Sequence, residues 1–156
     1  MAVYFIKKKF AYLIVSILLF ILFSSFFRWN DYRQKELVDI LNAEKITEIR
    51  FNVLPFDESV VYNTVVTDEK SIQELMDFFS QYQIKKQGRR DFTSKHPEEQ
   101  FTFQVAYHDK RINLPSLIER DVVLIDDDQY TVTNGPIDYT WIENFKDKHS
   151  TSSSND

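Results

Sequence analysis

Residues 10–27, FAYLIVSILLFILFSSFF, form an uncharged run broken only by three serines. As a helix rising 1.5 Å per residue the run reaches about 27 Å, roughly one bilayer hydrocarbon core. Such a segment either stays in a membrane or is removed as a signal peptide, so the rest of the chain has to fold without it. Six of the fourteen phenylalanines lie in the first 27 residues, and the 43% hydrophobic content therefore overstates how apolar the remainder is.

Lys7-Lys8-Lys9 ahead of the run suits both fates. Signal peptidase needs small residues one and three positions before its cut. The end of the run, Phe23-Ser24-Ser25-Phe26-Phe27-Arg28-Trp29, offers no A-x-A-like pattern. The run is also long for a signal-peptide core, and Trp29 and Tyr32 fall where interfacial aromatics anchor a span, so a retained signal anchor is expected. Three lysines and the amino terminus precede it, while Arg28, Arg33 and Lys35 follow, interleaved with Asp31 and Glu36. The positive-inside bias is modest and sets the amino terminus in the cytoplasm and the bulk of the chain outside. The expected division is a cytoplasmic basic terminus at 1–9, a single-pass anchor at 10–27, a juxtamembrane helix at 28–42, an extracytoplasmic domain at 43–148 and a disordered tail at 149–156.

Composition then removes whole classes of chemistry. The chain has no cysteine, which excludes disulfides, thiolate metal sites and thiol nucleophiles. Its two glycines, Gly88 and Gly135, are too few and too far apart for a phosphate-cradling loop or a dinucleotide fingerprint. No cofactor is expected. Beyond residue 27 there remain 16 basic and 24 acidic residues, a net charge of −8, which argues against nucleic acid as a partner.

The remaining residues, about 120, are enough for one core without covalent staples. RQKELVDIL, residues 33–41, has helix formers and an apolar set at Leu37, Val38, Ile40 and Leu41, which predicts that the membrane helix runs on as a stalk. Ile49, Phe51 and Val53 alternate with polar residues as a half-buried strand, and VVYNTVV, residues 60–66, follows a turn at Pro55–Ser59. Ile72, Leu75, Met76 and Phe79 fall at helical spacing behind the capping residues Thr67 and Asp68. Residues 83–100 are polar and read as a long loop or a short strand with an insertion. Phe101, Phe103, Val105 and Tyr107 then alternate as a strand that turns at Asp109-Lys110 into Arg111–Leu114. A further hairpin joins 122–125 to 130–133, and Ile137, Trp141 and Phe145 mark a last helix after Pro136. The order predicts an α+β fold, a mainly antiparallel sheet with helices packed on one face.

Few polar clusters suggest chemistry. Asp126-Asp127-Asp128 has the carboxylates a hard cation needs, but it falls where a hairpin turn belongs and lacks an EF-hand's ligand spacing. His96, His108 and His149 are scattered without ligand spacing and read as solvated, so no metal site is expected. Ser116, Asp121 and His108 can be drawn as a triad only as freely as in any acid-rich chain, and no catalytic residue is assigned. The one compositional anomaly is QIKKQGRRDFTSKH, residues 83–96, a net of +4 on an acidic domain. Lys85, Lys86, Arg89, Arg90 and Lys95 with the embedded Phe92 are the candidate binding residues for an acidic protein face, an anionic surface polymer or anionic lipid. The plain alternative is a solvated connection kept soluble by charge.

From KKKFAYLIVSILLFILF through the alternating strands to GPIDYTWIENF, the layout resembles small single-pass membrane proteins of Gram-positive bacteria whose extracytoplasmic α+β domain has no assigned activity. The resemblance implies a cell-surface accessory role and names no site residues. The expected function is a membrane-tethered, non-catalytic binding domain acting as an inhibitor or immunity protein, an envelope-complex subunit or a sensor. The alternatives are a small extracytoplasmic enzyme whose site forms only in three dimensions, and a structural subunit that associates through its membrane helix.

Overall fold

A computed structural model of the chain describes residues 2–53, 62–89, 91–113 and 115–150. It divides into two units, Met1–Arg33 and Gln34–Asp156. The expected turn at Pro55–Ser59, the start of the strand at 60–61, Leu114, Arg90 and residues 151–156 lie outside the described residues.

The first unit is one helix, α1 (Ala2–Tyr32), of 31 residues and about 46 Å. From Tyr12 to Tyr32 it is long and apolar enough to cross a membrane, and none of that stretch is buried. Aromatic rings line its carboxyl-terminal turns, with Phe23 and Phe27 edge to face at 4.5 Å.

The second unit is an α+β fold around an eight-stranded, wholly antiparallel sheet. Its strands are β1 (Lys35–Glu36), β2 (Ile46–Val53), β3 (Tyr62–Val66), β4 (Gln83–Arg89), β5 (Gln100–Tyr107), β6 (Ser116–Glu119), β7 (Val122–Ile125) and β8 (Asp128–Val132). The helices are α2 (Leu37–Leu41), α3 (Glu69–Ser80) and α4 (Tyr139–Ser150). In space the strands run β1-β4-β8-β7-β6-β5-β2-β3. Strands β5 to β8 form a meander, the β2–β3 hairpin extends it on one side, and the chain through α3 reaches the other side to lay β4 beside β8.

Period-two alternation places one apolar row on each central strand. Ile49 and Phe51 of β2 register with Val105 and Phe103 of β5, and all four are fully buried. Rings from two helices meet that row: Phe79 of α3 lies 5.7 Å from Phe103, and Phe145 of α4 lies 5.6 Å from Phe51. α3 starts where the sequence indicates, with the Asp68 carboxylate accepting from the Ser71 amide at 2.9 Å. The opposite face is not bare, because Leu117 of β6 and Leu124 of β7 register with each other there and are both buried outside the main core.

Three expectations are corrected. The stalk predicted over 28–42 is not a continuous helix: α1 ends at Tyr32, β1 pairs with β4, and the short α2 follows. The physical reason is burial, since Leu37 and Leu41 are both 0% exposed in the core and would be stranded in solvent on a stalk. The amide of Leu37 donates to the Tyr82 carbonyl at 3.0 Å, and Asn42 ends α2 in the left-handed region at φ 50°. In the connection after β5, the described part of the expected strand at Arg111–Leu114, residues 111–113, is not a strand. Ile112 makes one isolated bridge to Ala106 and is half exposed, and the strand is the later segment Ser116–Glu119. Finally, His149 is not in a frayed tail but on α4, with its ring 4.6 Å from Phe145 and 6.4 Å from Phe51. Burial, and after it the Lys148 ammonium, pulls its pKa below the ordinary histidine value, against the smaller opposing pull of Glu74 and Asp68.

Leu37 separates a stalk from a core element. Leu37→Ala should cost the domain about 2–5 kcal/mol in denaturant unfolding, whereas a solvent-exposed stalk would leave the midpoint where it was.

Candidate functional site

The basic segment splits into a strand and a tied-down loop. Of the two readings of 83–100, the short strand with an insertion is the one found: residues 83–89 are β4, held by pairing with β8 in spite of a composition poor in strand formers. Ile84 supplies the one fully apolar contact, at 1% exposure, and a bulge between Lys86 and Gly88 lets Gly88 take φ 146°, which only glycine adopts freely. Lys85 and Arg89 are exposed. Lys86 is not: its ammonium sits 2.6 Å from the Asp128 carboxylate with only 15% of the side chain exposed. Phe92 is half-buried and Lys95 exposed on the loop that follows, and Arg90 lies outside the described residues. The sequence grouping therefore holds two different kinds of cation, with Lys85, Arg89 and Lys95 facing solvent and Lys86 committed to an internal pair.

The loop is fixed by a residue that sequence reading missed, Glu119. This side chain is 3% exposed at the end of β6, and its two oxygens accept four hydrogen bonds. The amides of Lys95 and His96 both donate to Oε1 at 2.8 Å, and the Ser94 hydroxyl and Gln100 side-chain amide donate to Oε2 at 2.8 and 2.7 Å. Burial pushes the Glu119 carboxyl up, but the four donors together outweigh it and hold the group below the ordinary value. Nearer the start of the loop, the Asp91 amide donates to the Gln129 side chain at 3.2 Å. Gln129 registers with Leu124 and Glu119 with Val122, so both anchors project from the second face, and the loop crosses β7 on that face. Nothing in the local pattern marks Glu119, because an acid after Leu117-Ile118 looks like the end of an apolar run.

The same loop assembles the one metal-type ligand cluster among the described residues. His96, Glu98 and Glu99 bring ligand atoms within 4.8 Å of one another, and His96 Nδ1 is 3.5 Å from Glu98. Glu99 also lies 3.4 Å from Arg120, a fixed positive charge that competes with a cation for that carboxylate. The Asp126–Asp128 run is the β7–β8 turn, with Asp126 at φ 50° and Asp128 paired to Lys86. His108 is exposed at the far end of β5, while Ser116 registers with Phe103, about 16 Å back along the strand, so the two do not form a dyad. Ser116 is fully buried and its hydroxyl accepts from Asn113 at 3.0 Å.

An open groove of about 620 Å³ lies between α3 and α4. Phe78 and Trp141 stack at 3.9 Å on one side of it, and Glu69, Glu74 and Asp77 with the single Lys70 give its rim an acidic balance. Lys148 reaches across to Glu74 at 2.6 Å, so the two helices are stitched by both a ring stack and an ion pair. The chain matches no known protein family, no curated protein and no solved structure.

The Glu119 tether should dominate the order of the loop. Glu119→Ala abandons four donors and should cost about 1–3 kcal/mol, with amide exchange at residues 94–96 rising in step. Because the folded-state pKa is lowered, this stabilisation is complete above the ordinary value of 4.5 and is lost as pH falls through the lower one. An acid titration of wild type and Glu119→Ala followed by exchange should converge at low pH.

Proposed function

We propose that this protein is a single-pass, membrane-tethered binding domain that uses the exposed cations of β4 and the following loop to hold an anionic partner outside the cell, without catalysis. In this reading α1 remains in the bilayer as an uncleaved anchor with the amino terminus inside. Helices α2 to α4 cover the face of the sheet that bears Phe51 and Phe103, which leaves β4 and its loop facing the partner. One observation carries the reading: Lys85, Arg89 and Lys95 stay exposed on a strand and on a loop held by three hydrogen bonds to Glu119, in a chain whose residues beyond 27 carry a net charge of −8. A rigidly held cation has already lost the rotamer and backbone freedom that binding would otherwise cost. A merely solubilising loop needs no such fixing.

Charge reversal tests the reading residue by residue. Lys85→Glu with Arg89→Glu should weaken crosslinking pulldown of the natural partner, and Lys85→Glu alone, whose cross-strand neighbour is the neutral Thr131, should do so in part and leave the melting temperature unchanged. Lys86→Glu should instead lower the melting temperature, because it sets a second carboxylate against Asp128. Unaltered pulldown by the double variant would dismiss the basic segment as a site.

Topology is tested with a carboxyl-terminal tag on intact cells. Added protease should remove the tag, and the membrane-bound product should migrate at the full 18.7 kDa. A shorter, released product would mean a cleaved signal peptide, and a protected tag would place the domain in the cytoplasm.

A further inference from the structure

We infer that the outer edge of β4 receives an extended acidic peptide segment of a partner protein as an added antiparallel strand. The inference rests on the reading of the basic segment just given and specifies its ligand. β4 is seven residues long, yet on its outer side β1 pairs only with Gln83 and Ile84. Among the described residues no strand pairs with positions 85–89 on that side. Edge strands of this kind are the usual seat of strand addition, in which backbone hydrogen bonds supply affinity and alternate side chains supply specificity.

Register identifies the occupant. Lys85 is opposite Thr131 and Arg89 opposite Asp128. Positions 131 and 128 are three apart on one strand, so they project to opposite faces, and the two exposed cations therefore flank the edge from its two sides. A flat anionic surface such as a bilayer meets one face of a sheet at a time and leaves the other cation unused. An extended peptide lying along the edge sends successive side chains to alternate faces and reaches both. Acidic residues three apart in that peptide, Glu-x-x-Glu, put one carboxylate on each side. A second copy of this edge is a poor occupant, because it would bring Lys85 and Arg89 against their own equivalents, and the bulge at Gln87 further discourages self-pairing. Lys95, on the loop tied over the face that carries Lys85, adds positive charge to that side.

The full-length chain in nanodiscs of zwitterionic lipid is titrated into a fluorescent octapeptide, Thr-Val-Glu-Thr-Val-Glu-Thr-Val, and followed by anisotropy. Salt-sensitive binding is expected, with amide-exchange protection gained at residues 85–89. Lys85→Glu with Arg89→Glu should weaken it by about tenfold or more, as should moving the second glutamate one position so that both fall on one face. N-methylation of alternate backbone amides keeps the charge and removes the strand hydrogen bonds, and it should abolish binding. Equal binding by the methylated or same-face peptide would overturn strand addition while leaving a charge-driven basic site. No binding of the octapeptide together with cation-dependent binding of polyphosphate or of anionic vesicles would overturn the peptide ligand and retain the anionic-partner reading. Indifference of every probe to the double variant would overturn both, and peptide-independent dimerisation through the same edge would overturn it in favour of a second copy.

Discussion

The span from β3 to β4 is the constraint on which the domain depends. The two strands are six positions apart in the sheet, a distance of about 29 Å at the usual strand spacing. The link between them is α3, about 18 Å long, plus Thr67, Asp68, Gln81 and Tyr82, which add at most about 14 Å when extended. The connection is therefore nearly taut, and its ends have to be fixed closely. They are: Asp68 caps the first turn, the Tyr82 carbonyl accepts from Leu37, and the Gln83 amide and carbonyl are held by Asn134 and Thr133. A link with so little slack delivers β4 to one place beside β8 and fixes where Lys85 and Arg89 emerge.

The same constraint explains why the first residues after α1 are folded rather than extended as a stalk. β1 and α2 close the Ile84 end of β4, and Leu37 and Leu41 fill core space beside α3. Their two buried leucines outweigh the intrinsic preference of RQKELVDIL for continuing a helix, since propensity differences amount to a few tenths of a kcal/mol per residue and each buried leucine contributes about 1.5–3. The second unit thus begins at Gln34, directly ahead of β1.

Legibility followed the range of the forces involved. Helix α3, the β5 alternation and the β7–β8 hairpin were readable because their signals, a 3.6-residue stripe, a two-residue alternation and a turn, are all local. β4 was readable only as one of two alternatives, because QIKKQGR has little strand character and becomes a strand through partners 39 to 48 residues downstream. β6 was hidden by its polar ends, Ser116 and Glu119, both buried because Asn113 and the 94–100 loop satisfy them. At the candidate site the excess of cations was legible, but their division was not. Only the fold shows that Asp128 takes Lys86 while Lys85 and Arg89 stay free to face outward on two sides.

Glu119 makes the loop and the sheet edge one structure. The carboxylate lies in the same cross-strand row as Val122, Thr131 and Lys85, so the group that holds the loop and the cation at the edge share one face. A loop anchored on β6 and β8 screens Leu124 on the strand between them, and that cover lets an antiparallel sheet carry apolar residues on a face outside the main core. Loosening the tether would therefore uncover apolar surface as well as release Lys95. If the basic segment binds as proposed, stability and binding are coupled at this point because one buried carboxylate serves both.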